Sequence, residues 1–111
     1  VVFDGAVGVD LERVIELSGA LINQYFHPNE INNLVEYEGT ADYHGQAILC
    51  WTRKEAVSKL LKLGLKMDFK QIDTTSDSIF CKEYCGSRIF LKSARLYNYC
   101  ISLAVEKECL T

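Results

Sequence analysis

The sequence has no long apolar run and no excess of basic residues, and each absence removes a class of partner. No stretch approaches the roughly 18 apolar residues that a membrane-spanning helix needs, and the apolar start of the chain is broken by Asp4 and Gly5. The 12 Lys and Arg residues are outnumbered by 15 Asp and Glu. No basic stripe marks a nucleic-acid surface. The sequence therefore predicts a soluble protein whose partners include neither a membrane nor a nucleic acid.

The cysteines do not follow the pattern of a disulfide framework or of a zinc site. Their number, five, is odd, and Cys50 falls in an apolar, helix-like segment. Cys81 and Cys85 form a lone CxxxC without a second Cys/His pair at zinc-site spacing. With no visible signal peptide, the simplest interpretation is a cytoplasmic protein that keeps its thiols reduced.

The composition is that of a globular protein, and the length is that of one domain. Hydrophobic residues make up 49% of the 111 positions and charged residues 24%, close to the averages for soluble domains. We find no internal repeat or linker and interpret residues 1–111 as a single domain. A domain of this size buries only about two-thirds of its unfolded surface. A partner surface would therefore contribute substantially to its stability.

Helical periodicity dominates the first half of the chain and period-two alternation the second. The dipeptide Asp4-Gly5 predicts a hairpin turn at the start. The predicted helices cover residues 12–25, a short segment from Pro28 to about Tyr37, and a long segment over 41–63 that ends at Gly64 in a left-handed C-cap. The predicted strands lie near 78–84, 87–95 and 99–105, with a turn around Cys85-Gly86. We expect an α+β fold, with an antiparallel sheet of four to five strands packed against a long helix and one or two shorter ones.

Two acidic residues lie next to each other on one face of an early strand. Asp10 and Glu12 are separated by one residue, so in extended geometry both carboxylates point the same way, about 6 to 7 Å apart. A hard divalent cation such as Mg²⁺ prefers a few carboxylate oxygens and substrate phosphates. The alternative is a helix cap followed by a first-turn acid.

The long helix carries charged residues that could extend this site. Trp51, Glu55 and Lys59 follow one another at intervals of four, and Lys54 flanks this stripe. One interpretation is an exposed Glu–Lys pair that adds little stability. The other is that Glu55 completes a three-carboxylate cation site with the two earlier acids, while Lys59 contacts the phosphates that the cation brings.

The combination and order of three segments resemble the signature of the 4′-phosphopantetheinyl transferases, most closely the Sfp-type subgroup. The segments are Gly8-Val9-Asp10-Leu11-Glu12, then Phe26-x-x-x-Glu30, then Trp51-Thr52-x-Lys54-Glu55-Ala56-x-x-Lys59. The likeness covers residues 7–59. It implies an α+β transferase fold and an enzyme that uses coenzyme A.

The resemblance also implies a mechanism and a set of site residues. In this family Mg²⁺ holds the pyrophosphate of coenzyme A, a carrier-protein serine attacks the β-phosphorus, and 3′,5′-ADP leaves. Asp10, Glu12 and Glu55 match the metal ligands, and Glu55 could also accept the serine proton. Lys59 and Lys54 would neutralise phosphate charge. The partner would be an acyl or peptidyl carrier protein, with fatty acid, polyketide and peptide pathways all open.

Two features of the chain depart from the family pattern. Lys62 stands where family members usually have glycine, and neither His27 nor His44 follows a serine, so the Ser-His element used in coenzyme A binding is absent. We interpret both histidines as surface residues. The chain resembles the C-terminal half of a two-domain Sfp-type enzyme more than a single-domain member that forms trimers. We therefore expect self-association or a complementary N-terminal half.

Two other functions stay open at this point. The chain could be a binding or assembly module of the same fold that is catalytically incomplete alone, or an unrelated small α+β domain in which the three segments match by chance. Trp51 fits either the core or the wall of a cleft. The role of Glu30 does not follow from the sequence, beyond that of an acid in the first turn of a helix.

Overall fold

In the part of the chain that the structure describes, a four-stranded antiparallel sheet packs against one long helix, which two shorter helices precede. The computed structural model describes residues 7–81 and 86–106. The elements in chain order are strand β1 (Val7–Arg13), helices α1 (Gly19–Tyr25), α2 (Pro28–Val35) and α3 (Tyr43–Leu60), 3₁₀ turns at Gly64–Lys66 and Phe69–Gln71, and strands β2 (Ser78–Cys81), β3 (Ser87–Leu96) and β4 (Tyr99–Glu106). The strands lie in the order β1-β4-β3-β2, and every neighbouring pair is antiparallel. The expected α+β class is confirmed.

The strands are close to their predicted positions. β3 and β4 cover the segments predicted at 87–95 and 99–105, and β2 begins at Ser78 as expected. The predicted Asp4-Gly5 hairpin, the end of the 78–84 strand and Cys85 lie outside the described residues. Within those residues, no helix is long and apolar enough to cross a membrane.

The predicted helix over 12–25 is wrong in its first half. β1 continues through Arg13, which pairs with Tyr99 of β4, and α1 begins only at Gly19, with the Ser18 side chain accepting a hydrogen bond from the backbone of Leu21. Leu11, next to the start of the predicted helix, is 60% exposed on the strand. An apolar residue at this position fits the periodicity of a helix and that of a strand. Pairing with β4 selects the strand, because it supplies hydrogen-bond partners for the backbone N–H and C=O groups of this segment.

The ends of α2 and α3 follow from local chemistry. Pro28 occupies the first turn of α2, and His27 caps the helix: its Nδ1 accepts from the Asn29 backbone, while Glu30 accepts from the His27 backbone in return. α3 ends at Leu60, before the predicted Gly64. The left-handed residue after its C-cap is Lys62, with φ of 60°, although Gly64 also has positive φ, 54°.

The backbone of β1 lies directly against α3, and this contact positions the site. A Cβ atom on Gly8 would lie 2.0 Å from the carbonyl oxygen of Ala56 and 2.6 Å from the backbone nitrogen of Leu60. Only glycine permits this approach. Beneath α3 the main core is apolar, and its buried members are Ala56, Val57, Leu60, Met67, Phe69, Ile72, Ile79, Cys81, Ile89, Leu91 and Ala104.

The opposite face of the sheet carries apolar side chains that point away from the helices. They alternate with the buried residues of β1 and β4, as expected for a strand with two different faces. Those that are exposed are Val7, Val9 and Leu11 of β1, Tyr99 and Ile101 of β4, Leu96 of β3 and Phe80 of β2. We call this set the open sheet face. Exposed aliphatic and aromatic side chains on one face can mark a surface that contacts another protein.

Candidate active site

Asp10 and Lys59 meet where β1 crosses the last turn of α3. The Lys59 Nζ atom donates a hydrogen bond of 2.7 Å to Asp10 Oδ1. The Asp10 side chain is only 7% exposed, whereas that of Lys59 is 52% exposed. The hydrogen bond to Asp10 raises the pKa of Lys59, so the ammonium stays protonated.

Glu12 and Glu55 complete a cluster of three acidic groups. Glu12 lies on the same face of β1 as Asp10, and Glu55 lies one turn before Lys59 on α3. Burial raises the pKa of Glu12, and the nearby charges of Asp10 and Glu55 raise it further. Burial, and then the charge of Asp10, likewise raise the pKa of Glu55. Acidic groups close enough to raise the pKa values of Glu12 and Glu55 form a site that attracts a cation.

One oxygen of this cluster has no fixed donor among the described residues. Asp10 Oδ2 is buried there without a hydrogen-bond partner, although a hydrogen bond from protonated Glu12 to Asp10 helps to raise the pKa of Glu12. An unsatisfied buried polar atom costs about 1–3 kcal/mol. A divalent cation with oxygen ligands would satisfy it, and Mg²⁺ takes ligands of this kind. As the side chains of the described residues stand, no three acidic, histidine or cysteine groups are close enough to enclose a metal ion. Closing such a site therefore requires rotation of the partly exposed side chains.

Lys54 lies apart from this cluster, contrary to its predicted contact with phosphate. Its side chain is 0% exposed, and its Nζ atom lies 2.8 Å from Glu30 Oε1 and donates to the carbonyl oxygen of Ile72. Adjacent residues of a helix point about 100° apart, so Lys54 enters the interior while Glu55 faces β1. An ammonium held in this way cannot reach a ligand without breaking the buried pair, so the structure argues against a phosphate role.

Glu30 is the centre of a network that the sequence did not predict. Oε1 accepts from Lys54 and from the His27 backbone, and Oε2 accepts from both the backbone and the hydroxyl of Thr74. With 2% exposure, this carboxylate ties α2, α3 and the loop that precedes β2. Glu30 therefore has a structural role in addition to capping α2.

Arg53 and a chain of hydroxyl groups extend this network to the sheet. Arg53 donates to the carbonyl oxygens of Thr74 and Ser76, to Asp77 and to Ser93 Oγ. Ser93 in turn contacts Ser102 at 2.8 Å, and Ser102 contacts Thr52 at 2.7 Å. No sequence pattern singled out this chain of hydroxyl groups.

The remaining aromatic and histidine predictions have mixed outcomes. Trp51 packs in the core between Phe26 and Phe69, with stacked rings at 6.4 and 5.5 Å. The sequence predicts His27 and His44 as surface residues, and the structure shows both half-buried. His27 caps α2, and the Nδ1 atom of His44 is buried without a hydrogen-bond partner.

The sequence of this chain matches a protein-family model over almost its whole length. The model describes the 4′-phosphopantetheinyl transferase superfamily, and residues 6–104 match it. The chain belongs to this superfamily. No curated protein matches the chain significantly. For this superfamily member, the finding confirms the resemblance inferred from the three segments, although the Sfp-type subgroup and the assignment to a C-terminal half stay predictions.

Solved structures of holo-acyl-carrier-protein synthases share the fold of this transferase-superfamily member. The enzyme from Bacillus anthracis, solved in complex with coenzyme A (3′,5′-ADP), aligns with a TM-score of 0.68 at 15% identity, over 91% of this chain and 94% of that one. The enzyme from Neisseria meningitidis aligns with a TM-score of 0.71 at 13% identity, over 92% and 97%. At such identities the likeness concerns the fold alone.

Proposed function

We propose that this protein transfers the 4′-phosphopantetheine group of coenzyme A to a serine of an acyl or peptidyl carrier protein, and releases 3′,5′-ADP. The observation that carries the proposal is the cluster at the crossing of β1 and α3, where the charges of Glu12 and Glu55 interact with the Asp10–Lys59 pair. Membership of the superfamily and the likeness to a synthase solved with coenzyme A support it.

The three acids would hold Mg²⁺, and the unpartnered Oδ2 atom of Asp10 is the best reason for this assignment. The cation would supply positive charge to the pyrophosphate. Lys59, half exposed at the rim of the cluster, would neutralise a further phosphate oxygen. Carboxylates and an ammonium that are already in place stabilise charge in the transition state, because the protein need not rearrange as the charge develops.

Glu55 is the proposed general base. Its raised pKa makes it a better proton acceptor than an ordinary glutamate. In the transfer, the serine oxygen forms a bond to the β-phosphorus and the bond from that phosphorus to the 3′,5′-ADP oxygen breaks. The serine proton passes to Glu55, directly or through one water molecule. Atoms and charges balance with no further reactant.

The test is transfer to a carrier protein, followed by mass spectrometry. The natural full-length protein is mixed with coenzyme A, Mg²⁺ and an apo carrier, and the carrier should gain the mass of phosphopantetheine. Glu55→Gln should abolish this gain, whereas Glu38→Gln, an exposed acid outside the cluster, should leave it unchanged. Absence of transfer to fatty acid, polyketide and peptide carriers alike would overturn the proposal.

A second candidate is an assembly module that is catalytically incomplete alone, and the open sheet face favours it. Exposed apolar residues from β1 and β4 lie side by side there, with Leu11 paired to Ile101 across the strands. We propose that this face packs against a second copy of the chain or a complementary N-terminal half. Sedimentation velocity should detect self-association that Ile101→Lys weakens. A monomer at all concentrations, with no binding to a complementary half, would contradict this.

A further inference from the structure

Lys59 occupies one of the two oxygens that a cation would need on Asp10. Its ammonium lies 2.7 Å from Oδ1, while no fixed donor among the described residues reaches the buried Oδ2. The side chains of Asp10 and Lys59 differ in how far they can move. Asp10 is fixed on a strand and enclosed, whereas Lys59 lies at the end of a helix with half of its side chain in water. The lysine can therefore leave the contact, but the aspartate cannot follow it.

The charges of the cluster also favour such a departure. When all three are ionised, Asp10, Glu12 and Glu55 supply three negative charges against the single positive charge of Lys59. A divalent cation among the carboxylates would repel an ammonium that contacts the same aspartate, because like charges at a few ångströms interact strongly outside bulk water. The flexible four-carbon stem of lysine permits a new position without movement of the backbone.

We propose that Lys59 is an exchangeable counter-ion. In the free protein it neutralises Asp10; when a divalent cation binds, it yields Oδ1 and turns its ammonium toward the phosphates of the substrate. The inference rests on the proposed function, since it concerns the same cluster. It adds that one side chain couples binding of the cation to binding of the phosphates, so that each strengthens the other.

This coupling distinguishes three roles for Lys59. A simple phosphate ligand would affect binding of the nucleotide and leave binding of the cation unchanged. A structural residue would, on removal, weaken both. An exchangeable counter-ion competes with the cation, so its removal strengthens cation binding and weakens nucleotide binding. Opposite signs for the two ligands are the signature of exchange.

The experiment is calorimetry on the folded, full-length protein with MgCl₂ alone, and then with 3′,5′-ADP at saturating Mg²⁺. We expect Lys59→Met to bind Mg²⁺ about tenfold more tightly and 3′,5′-ADP about tenfold more weakly than the wild type. Lys59→Arg, which keeps the charge, should bind Mg²⁺ as the wild type does. Lys66→Met, at an exposed lysine of a 3₁₀ turn, controls for the loss of one positive charge.

The possible outcomes separate a failure of the exchange at Lys59 from a failure of the proposed function. If the wild type binds both ligands but Lys59→Met binds Mg²⁺ no more tightly than Lys66→Met does, the exchange is refuted and the proposed function survives. If the wild type binds neither Mg²⁺ nor 3′,5′-ADP, the proposed function fails, and the exchange fails with it. Should circular dichroism show that Lys59→Met is unfolded, Lys59→Gln removes the same charge and must give the same opposite pair of changes.

Discussion

The buried pair of Lys54 and Glu30 gives the sharpest test of the structure. Lys54→Met keeps the length of the side chain but removes its charge, so Glu30 is left as a buried carboxylate without its counter-ion. Removal of one partner of a buried ion pair costs about 3–5 kcal/mol. Glu30 keeps three hydrogen bonds, from the His27 backbone and from two groups of Thr74. We therefore expect the lower end of this range, about 3 kcal/mol.

This free energy is large compared with the stability of a small domain. The unfolding entropy is about 2.1 cal/mol/K for each of 111 residues. A loss of about 3 kcal/mol therefore lowers the melting temperature of Lys54→Met by about 13 °C. If the free energy of unfolding falls by about 1.5 kcal/mol per molar urea, the same loss lowers the unfolding midpoint by about 2 M. Both shifts are well above experimental error.

The assay is urea unfolding followed by circular dichroism, for the wild type, Lys54→Met, Glu30→Gln and the double variant. The double variant leaves neither charge of the pair without its partner. Its free energy of unfolding should therefore fall by about 2 kcal/mol less than the sum of the falls in the two single variants. Lys66→Met serves as the surface control. Where Lys54→Met is folded, it should bind 3′,5′-ADP as the wild type does. An unchanged midpoint together with weaker nucleotide binding would refute the structural role and restore the predicted phosphate contact.

Three further predictions concern the backbone and the acidic cluster. Gly8→Ala should lower the free energy of unfolding by about 3 kcal/mol in urea, because its Cβ would meet the backbone of Ala56 at 2.0 Å; a loss under about 1 kcal/mol would contradict the close approach. Lys62→Gly should raise the melting temperature by about 4 °C, because it removes about 1 kcal/mol of strain at a φ of 60°; an equal or lower melting temperature would count against this. Burial first, and neighbouring charges second, raise the pKa values of Glu12 and Glu55 above the ordinary 4.5. The cation-free folded state therefore binds these protons more tightly than the unfolded state, and stability should fall as pH rises through the window above 4.5. Urea midpoints between about pH 4 and pH 7 should fall less steeply for Glu55→Gln, and an identical slope would show that Glu55 does not titrate in this way.

The strands could be predicted from their alternation, and the long helix from a segment almost free of glycine and proline. β4 alternates between exposed and buried positions from Tyr99 to Ser102, and Gly45, in the first turn, is the only glycine or proline of α3. The segment after Asp10 could not be predicted, because its apolar residues fit both a strand and a helix. Pairing with β4, a contact distant in sequence, decides between them. The end of α3 was misplaced for a related reason: the left-handed position falls on Lys62, where no glycine signals it.

The candidate site was predictable to the extent that one face of a strand or helix defines it. The i, i+2 spacing put Asp10 and Glu12 on one side of β1, and the four-residue spacing put Glu55 and Lys59 on one side of α3. Lys54 could not be separated from these by sequence, because a lysine next to a site residue looks the same whether it faces solvent or the core. Its buried partner, Glu30, lies 24 positions earlier in the chain.

The buried pair changes how related sequences would be classified. Two of the three segments that carry the family likeness contain Glu30 and Lys54, and here both residues hold the fold together. A duplicated or diverging gene could therefore keep these segments through selection for folding alone, after its catalytic ability had gone. Under the proposed function, positions 10, 12, 55 and 59 would carry the information about activity, and a relative that retained the pair but replaced these four would be a folded domain free to acquire another use.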